Sequence, residues 1–367
     1  MNLALRVLFL AGLLVGFRAL DAKAAEFDLE IGLDESIYPS LIIATSTLKL
    51  DDEEEDETLL GDPMGFIGVN IESPADDVTI TVEISSSTLI QPSRFSGRLA
   101  REGEVYSVFP VLKYDYDTLL NVRQPFPEVI TAKVTLDGEA LPELNRRVPV
   151  RSINDCILGF MDGEDSWVDM TWLMPAYVNE NHPIVDEILA EALDTGDVDS
   201  FAGYQKDADG VTTELAAIWN ALQERGFRYS NITRSSGNSD TVATQHVRLL
   251  GDAVKTAQAN CVEGSVLFAS IIQKLDMEPF LVLIPGHMFV GVFLDEAGEE
   301  FICIETTMLG EATFDEAAEA GLLQFQEHSD FLLADEDEDE PVDPRYAIIE
   351  IEAARAMGVM PIREKQN

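Results

Sequence analysis

Apolar residues recur at helical spacing after Cys261, and this pattern predicts a helix that begins with the cysteine. The positions that carry the pattern are Val262, Val266, Leu267, Ile271 and Leu275. In the first turn of a helix, unpaired backbone N–H groups and the positive end of the helix dipole favour a thiolate over a thiol. Because the thiolate is the nucleophilic form of cysteine, Cys261 is a candidate for acyl-transfer chemistry.

Two apolar runs follow this helix and predict a pair of strands. The first is 279–284, Pro285 and Gly286 interrupt it, and His287 opens the second. A turn at 295–298 returns the chain into a third run that ends at Glu305, as in a hairpin. Antiparallel strands packed on the cysteine helix would bring His287 and Glu305 together, facing the thiol. The imidazole would then accept the thiol proton, and the carboxylate would orient the ring.

Each of these residues also has a purely structural interpretation. A lone cysteine in an apolar helix is commonly a small buried side chain, and a histidine before a strand or a glutamate after one is commonly structural. The order Cys261, His287, Glu305 and its spacing favour a triad over three unrelated roles. Cys303 is a second thiol near the acid, but it lies inside a strand without a helix start, so we interpret it as a packing residue.

Elsewhere the pattern changes along the chain. Residues 25–150 alternate apolar and polar positions in short runs, which predicts an all-β domain, an immunoglobulin-like sandwich. The runs are 67–73, 78–85, 105–114 and 128–138. Residues 151–215 form a junction, placed at 151–163, followed by a helical segment, and 216–367 form an α+β core. Helices are predicted at 183–193, 211–225, 314–326 and 353–357, with a late strand at 346–352 that returns to the core.

The first 24 residues have the composition of a secretory signal peptide. A short basic start and the apolar run VLFLAGLLVGF precede Ala22-Lys23-Ala24, which has the small-residue spacing of a cleavage site. The run is short for a membrane span. We therefore expect an exported protein, periplasmic or extracellular, without an integral membrane span after cleavage. An uncleaved anchor is the alternative.

The chain is strongly acidic. Asp and Glu number 68 against 24 Lys and Arg, which gives a formal net charge of −44. Such a charge repels nucleic acids and anionic membrane surfaces, so neither is an expected partner. The favoured interpretation is adaptation to a salty medium, where the self-repulsion of the surface is screened. Recognition of a cationic substrate is the alternative.

Three cysteines are too few for a disulfide-based scaffold, although Cys156 and Cys303 could pair arithmetically. The acidic turn 206–210 resembles part of an EF-hand calcium loop. With Gly210 at the sixth position, however, Gln205 and Ala216 occupy the first and twelfth positions, where the loop requires carboxylates. No metal or other cofactor is expected.

The stretch 258–310 resembles the transglutaminase-like (papain-like) cysteine enzyme superfamily, and the resemblance extends back to about Ala216. ANCVEGSVLFASIIQKLDMEP is similar to the family's cysteine helix, PGHMFVGV to its histidine strand and FICIETT to its acid strand. The resemblance implies that Cys261, His287 and Glu305 form the catalytic triad. Asn260, Phe289 and Glu305 depart from the Gly, Trp and Asp that are common in the family.

The resemblance also implies a function. A triad of this kind transfers an acyl group from an amide, to water in a peptidase or amidase and to an amine in a cross-linking enzyme. A protein or peptide substrate is therefore expected, while the oligomeric state is left open. Gln245, upstream of the cysteine, is a candidate second donor to the oxyanion beside the Cys261 N–H, with a surface role as the alternative. A catalytically silent domain that acts as an exported binding or assembly module is the other functional hypothesis.

Overall fold

The computed structural model describes residues 26–48, 56–161, 166–231, 239, 241–334 and 343–364. The chain is mixed α+β with several separate sheets. It divides into two compact units, which are described one at a time. The first contains the described residues up to Val168 with 239 and 241–244, and the second contains the described parts of 169–236 and 245–367. The predicted signal peptide, 1–24, lies outside the described residues.

The secondary structure is as follows. The strands are β1 Phe27–Ile31, β2 Leu59–Gly61, β3 Ile67–Glu72, β4 Val78–Ser86, β5 Ile90–Gln91, β6 Ser93–Leu99, β7 Val105–Phe109, β8 Lys113–Tyr114, β9 Phe126–Leu136, β10 Glu139–Ala140, β11 Leu144–Val150, β12 Asp155–Met161, β13 Trp167–Asp169, β14 Arg228–Tyr229, β15 Val242–His246, β16 Gln258–Ala259, β17 Pro279–Ile284, β18 His287–Phe293, β19 Phe301–Ile304 and β20 Ala347–Glu350. The α-helices are α1 Pro39–Ala44, α2 Tyr116–Leu119, α3 Pro183–Asp194, α4 Ala208–Glu224, α5 Leu250–Thr256, α6 Cys261–Lys274, α7 Phe314–Glu327, α8 Ser329–Leu332 and α9 Ile351–Met357. Short 3₁₀ turns include Thr171–Tyr177 and Thr306–Met308.

The first unit is dominated by two antiparallel-rich sheets. One has the order β1-β3-β7-β2, and the other has the order β10-β9-β4-β6 with β11 also paired to β9. In β4 and β9 buried and more exposed positions alternate, because successive side chains of a strand point to opposite faces. The strands predicted at 67–73, 78–85 and 128–138 are therefore confirmed.

Two predictions for this region need correction, and one strand was not predicted. The run 105–114 is interrupted at Pro110, so it forms two strands, β7 and β8, instead of one. Residues 25–150 are not all β, because α1 and α2 interrupt the strands; Pro39 opens α1 with the fixed φ that suits a first helical position. The strand that was not predicted is β12, which is largely buried and lies within the segment 151–163 that was predicted as a junction.

The second unit is organised around the sheet β19-β18-β17-β20, in which all neighbours are antiparallel. Strands β17 and β18 form a tight hairpin, in which Ile284 is paired with His287 and Pro285-Gly286 make the turn. Gly286 has a φ of 75°, a left-handed value that glycine adopts without strain. The predicted strand pair, the return into β19 and the pairing of the late strand with the core are confirmed.

Helices cover this sheet and close the core of the second unit. The predicted helices are confirmed as α3, α4, α6, α7 and α9, each within three residues at either end. The late strand ends at Glu350 instead of 352, because α9 begins at Ile351. Trp219 of α4 is fully buried and its ring contacts Phe268 of α6 and Phe314 of α7. Within the described part of the chain, no helix has the length and apolar character needed to cross a membrane.

Candidate active site

Helix α6 begins at the candidate nucleophile, and its start is fixed by a capping box. The side chain of Asn260 accepts a hydrogen bond from the Glu263 N–H, 2.9 Å, and the Glu263 carboxylate accepts one from the Asn260 N–H, 3.1 Å. These bonds satisfy two backbone donors that a helix start leaves unpaired. They also give a physical reason for an asparagine before the cysteine. The Cys261 side chain remains partly exposed and unpaired to any disulfide.

An ion pair between a partly exposed arginine and a buried carboxylate holds the same turn of the helix. The Arg248 guanidinium donates to both oxygens of Glu263, with Nε–Oε1 and Nη2–Oε2 distances of 2.9 and 2.7 Å. The same guanidinium donates to the Gln258 carbonyl, 2.7 Å, and thereby ties down the segment that leads into the cysteine. Glu263 is 1% exposed, so its charge depends on these donors for compensation.

His287 opens strand β18 and contacts the candidate acid. The distance between its Nε2 and Glu305 Oε2 is 2.6 Å. Partial burial of the ring lowers its pKa, but hydrogen bonds with Cys261 and Glu305 and the charges of both groups outweigh that effect. The pKa of His287 is consequently raised from 6.5 to about 9. The three residues of the predicted triad are therefore brought together.

Glu305 follows strand β19 and is 4% exposed. Its Oε1 accepts hydrogen bonds from the Thr307 N–H and hydroxyl, and its Oε2 accepts one from the Gln324 amide as well as the contact with His287. Burial raises the pKa of the carboxyl, but the hydrogen bonds from His287 and Thr307 prevail and keep that pKa below its usual value. The buried carboxylate is thus fully supplied with donors.

The cysteine helix lies directly against the segment that follows Glu305. A Cβ on Gly264 would be 2.8 Å from the Thr306 hydroxyl, so a larger residue cannot occupy this position without displacing its neighbour. Ser265, fully buried one residue later, donates to the Cys261 carbonyl at 2.8 Å and lies 3.4 Å from the Met288 carbonyl. These contacts connect the helix start to the histidine strand and to the acid.

Tyr229 lies beside the helix start and was not predicted as a site residue. Strand β14 runs parallel to β16, which places Tyr229 opposite Ala259, two residues before the thiol. Its side chain is 43% exposed. Partial burial and the charges of Cys261 and Glu305 raise the pKa of its hydroxyl. An aromatic side chain is therefore exposed within electrostatic range of both groups.

The remaining cysteines have a different environment. Cys303 is fully buried in the apolar cluster between the sheet and α7, and burial raises its pKa to about 12. Cys156 is also buried, and burial raises its pKa strongly. Both are free thiols, so the disulfide that the cysteine count allows is not formed.

Gln245 was predicted to act at the site, whereas the residues that hold the two buried carboxylates were not predicted. The Gln245 amide donates to the carbonyl of its neighbour His246, 2.9 Å, and its role at an oxyanion stays a prediction. Arg248 and Gln324 were not predicted as site residues. No short sequence pattern indicates either contact, because Arg248 lies 15 positions from Glu263 and Gln324 lies 19 positions from Glu305. The Asn260-x-x-Glu263 spacing of the capping box, by contrast, is visible in the sequence.

The chain matches no known protein-family model, and a search of curated proteins gives no match. Among the described residues there is no group of three or more His, Cys, Asp or Glu side chains that could hold a metal ion.

Proposed function

We propose that this protein is a transglutaminase-like cysteine enzyme, which transfers the acyl group of an amide through a triad of Cys261, His287 and Glu305. One observation carries the proposal. A partly exposed cysteine at a helix start interacts with a histidine whose Nε2 contacts a buried carboxylate at 2.6 Å. This is the arrangement that an activated thiol requires, with a base beside the nucleophile and a third group that orients the base.

The proposed chemistry proceeds in two steps. Because Glu305 engages Nε2, Nδ1 is the imidazole nitrogen that remains to take the thiol proton. The Cys261 sulfur attacks the carbonyl carbon, and the imidazolium then donates its proton to the departing amine as the C–N bond breaks. In the second step His287 takes a proton from the acyl acceptor, which attacks the thioester, and the thiolate leaves. The Cys261 N–H, one of the donors that a helix start leaves unpaired, is suited to stabilise the oxyanion.

Water as the acceptor would make the protein a peptidase or amidase, and an amine would make it a cross-linking enzyme. In either case the proposed substrate is a protein or peptide. In this proposal the second unit is a papain-like core, and the first is an immunoglobulin-like sandwich that presents or docks the substrate. Export after removal of residues 1–24 belongs to the same proposal.

The test is the rate of alkylation by iodoacetamide between pH 4 and 9, with the labelled sites identified by mass spectrometry. Native protein is compared with Cys261→Ala and His287→Ala. We expect fast labelling of Cys261 below pH 7, which is slowed or moved to higher pH without His287. Cys156 and Cys303 are internal controls, because buried thiols with raised pKa values should remain unlabelled in the folded protein.

A Cys261 that reacts like a free thiol, with or without His287, would contradict the enzyme proposal. It would favour the other candidate, a catalytically silent domain that binds or assembles with partners. The partial exposure of Cys261 and its interaction with His287 favour the enzyme, because a silent site has no need of either.

A further inference from the structure

The carboxylate of Glu305 has a partner from helix α7 that the triad does not include. The Gln324 Nε2 donates to Glu305 Oε2 at 2.5 Å, the same oxygen that contacts His287 Nε2 at 2.6 Å. The other oxygen, Oε1, is engaged by the backbone and hydroxyl of Thr307. Donors therefore surround the carboxylate, and Gln324 is the one that shares an oxygen with the histidine.

We propose that Gln324 is a positioning residue of this site, which keeps Glu305 ionised and holds its Oε2 towards His287. The inference rests on the proposed function for its catalytic meaning, but the contact it describes can be tested without any substrate. Gln324 acts through the carboxylate and has no proposed contact with the reacting atoms.

Close contacts between helix α7 and strand β19 place the Gln324 amide beside the Glu305 carboxylate. Gly321 lies against strand β19 so closely that a Cβ there would be 2.5 Å from the Cys303 carbonyl oxygen. The Glu305 N–H donates to the Ala317 carbonyl of the same helix, 3.0 Å. Two contacts one turn apart thus fix α7 on the backbone of the acid strand, and Gln324 follows one turn after Gly321 on the same face.

The physical effect of the amide follows from burial. A carboxylate that is 4% exposed loses most of its hydration, so its charged form depends on hydrogen-bond donors. The titratable groups that interact with it are His287 from β18 and Tyr229 from β14, and Cys261 from α6 in turn interacts with both of these. Gln324 is a neutral donor among them, and its contribution does not change with pH. Its removal should make Glu305 easier to protonate and free to turn away from His287.

The experiment uses Gln324→Met, which keeps the side-chain volume and removes the donor. Gln326→Met on the exposed face of α7 is the matched control. Gln324→Glu is a second variant, in which two adjacent carboxylates would compete for one proton. All are prepared in a Cys261→Ala background with ¹⁵N-labelled histidine. The ring signals of His287, assigned with His287→Gln, are followed between pH 2 and 10, and circular dichroism checks that each variant is folded.

The low-pH inflection of the His287 signals reports protonation of its carboxylate partner. We expect Gln324→Met to move this inflection upward by about one pH unit, because one donor to the charged form is lost. Gln324→Glu should move it further in the same direction, and Gln326→Met should leave it in place. An unchanged inflection in folded Gln324→Met and Gln324→Glu would overturn the proposal.

A parallel measurement separates this inference from the proposed function. With Cys261 present, the acid limb of its alkylation profile should move upward in Gln324→Met by a similar amount. A native Cys261 that proves inert contradicts the enzyme but leaves the His287 titration to decide the role of Gln324. A reactive Cys261 with an unaltered titration and profile in Gln324→Met contradicts the positioning role alone.

Discussion

Two buried carboxylates, Glu263 and Glu305, lie in or near the cysteine helix, and they differ in the residue that interacts with their charge. Glu263, inside the helix, is bound through both oxygens by the Arg248 guanidinium. Glu305, after strand β19, contacts the His287 imidazole. Both are almost fully buried, with 1% and 4% exposure, and both are supplied with further donors. The difference between them is the chemistry of one cation.

An arginine stays protonated at every pH that a protein experiences, whereas a histidine can lose its proton within that range, and the pKa of His287 is about 9. The Arg248–Glu263 pair can therefore fix a helix start but cannot take part in proton transfer. The His287–Glu305 pair can do both, and it is the one that lies beside the thiol. We therefore propose a structural role for the Arg248–Glu263 pair and a chemical role for the His287–Glu305 pair, and each role can be tested separately.

The largest expected effect is on acyl transfer in Glu305→Gln. An amide that donates to His287 Nε2 favours the tautomer with the proton on Nδ1, which cannot accept the proton of the thiol. We expect acylation of Cys261 by p-nitrophenyl acetate to slow by about 10³-fold. The rate is measured as release of nitrophenolate. Glu311→Gln, at an exposed position nearby, is the control. A comparable loss in that control, or none in Glu305→Gln, would refute the assignment.

Arg248→Met tests the structural pair. Removal of the guanidinium leaves Glu263 buried without its cation, and we expect the free energy of unfolding to fall by about 3–5 kcal/mol. Urea denaturation followed by circular dichroism measures the change. Arg345→Met breaks an exposed pair with Asp343 and should leave the stability unchanged within error. The double variant Arg248→Met, Glu263→Gln should recover part of the loss, since it no longer buries a charge.

The sequence predicted the elements of the second unit better than their contacts. Periodicity identified α6, β17, β18 and β19 because each is amphipathic or apolar throughout, and the Pro285-Gly286 turn separates two of them clearly. The order of Cys261, His287 and Glu305 on these elements was enough to expect that they would meet. The three residues meet because β17, β18 and β19 pair with their neighbours along the chain, and such local pairing can be predicted from the apolar runs and the turns between them.

Partners that lie far apart along the chain were not predictable in this way. Arg248 and Gln324 precede or follow their carboxylates by 15 and 19 positions, and no local pattern links them. In the first unit, β6 was missed because its sequence, SRFSGRL, has few apolar positions to alternate. Strand β12 was missed because a short, nearly continuous apolar run does not reveal its period.

Gly264→Ala tests how closely the cysteine helix must approach the acid. The added methyl would be 2.8 Å from the Thr306 hydroxyl, and we expect a loss of about 1–3 kcal/mol of stability from overpacking. Because Thr306 directly follows Glu305, alkylation of Cys261 should also slow. Urea denaturation and the alkylation rate are measured together. Thr306→Gly in the same chain removes the opposing atoms and should restore the rate, whereas no loss in Gly264→Ala would show that the approach is not required.

The smallest expected effect is the pH dependence that separates the two pairs. The pKa of His287 is about 9 in the folded protein, against 6.5 for an unperturbed histidine, so the protonated ring stabilises the fold. This stabilisation is fully present below pH 6.5 and is lost as the pH rises through about 9. We expect it to amount to about 1–2 kcal/mol, since the ring is only partly buried and solvent screens it.

The measurement is the difference in unfolding free energy between native protein and His287→Ala, from pH 6 to pH 10. That difference should shrink with rising pH, while the corresponding difference for Arg248→Met should stay constant because the guanidinium remains charged throughout. If both differences change alike, the two carboxylates do not differ as their partners imply.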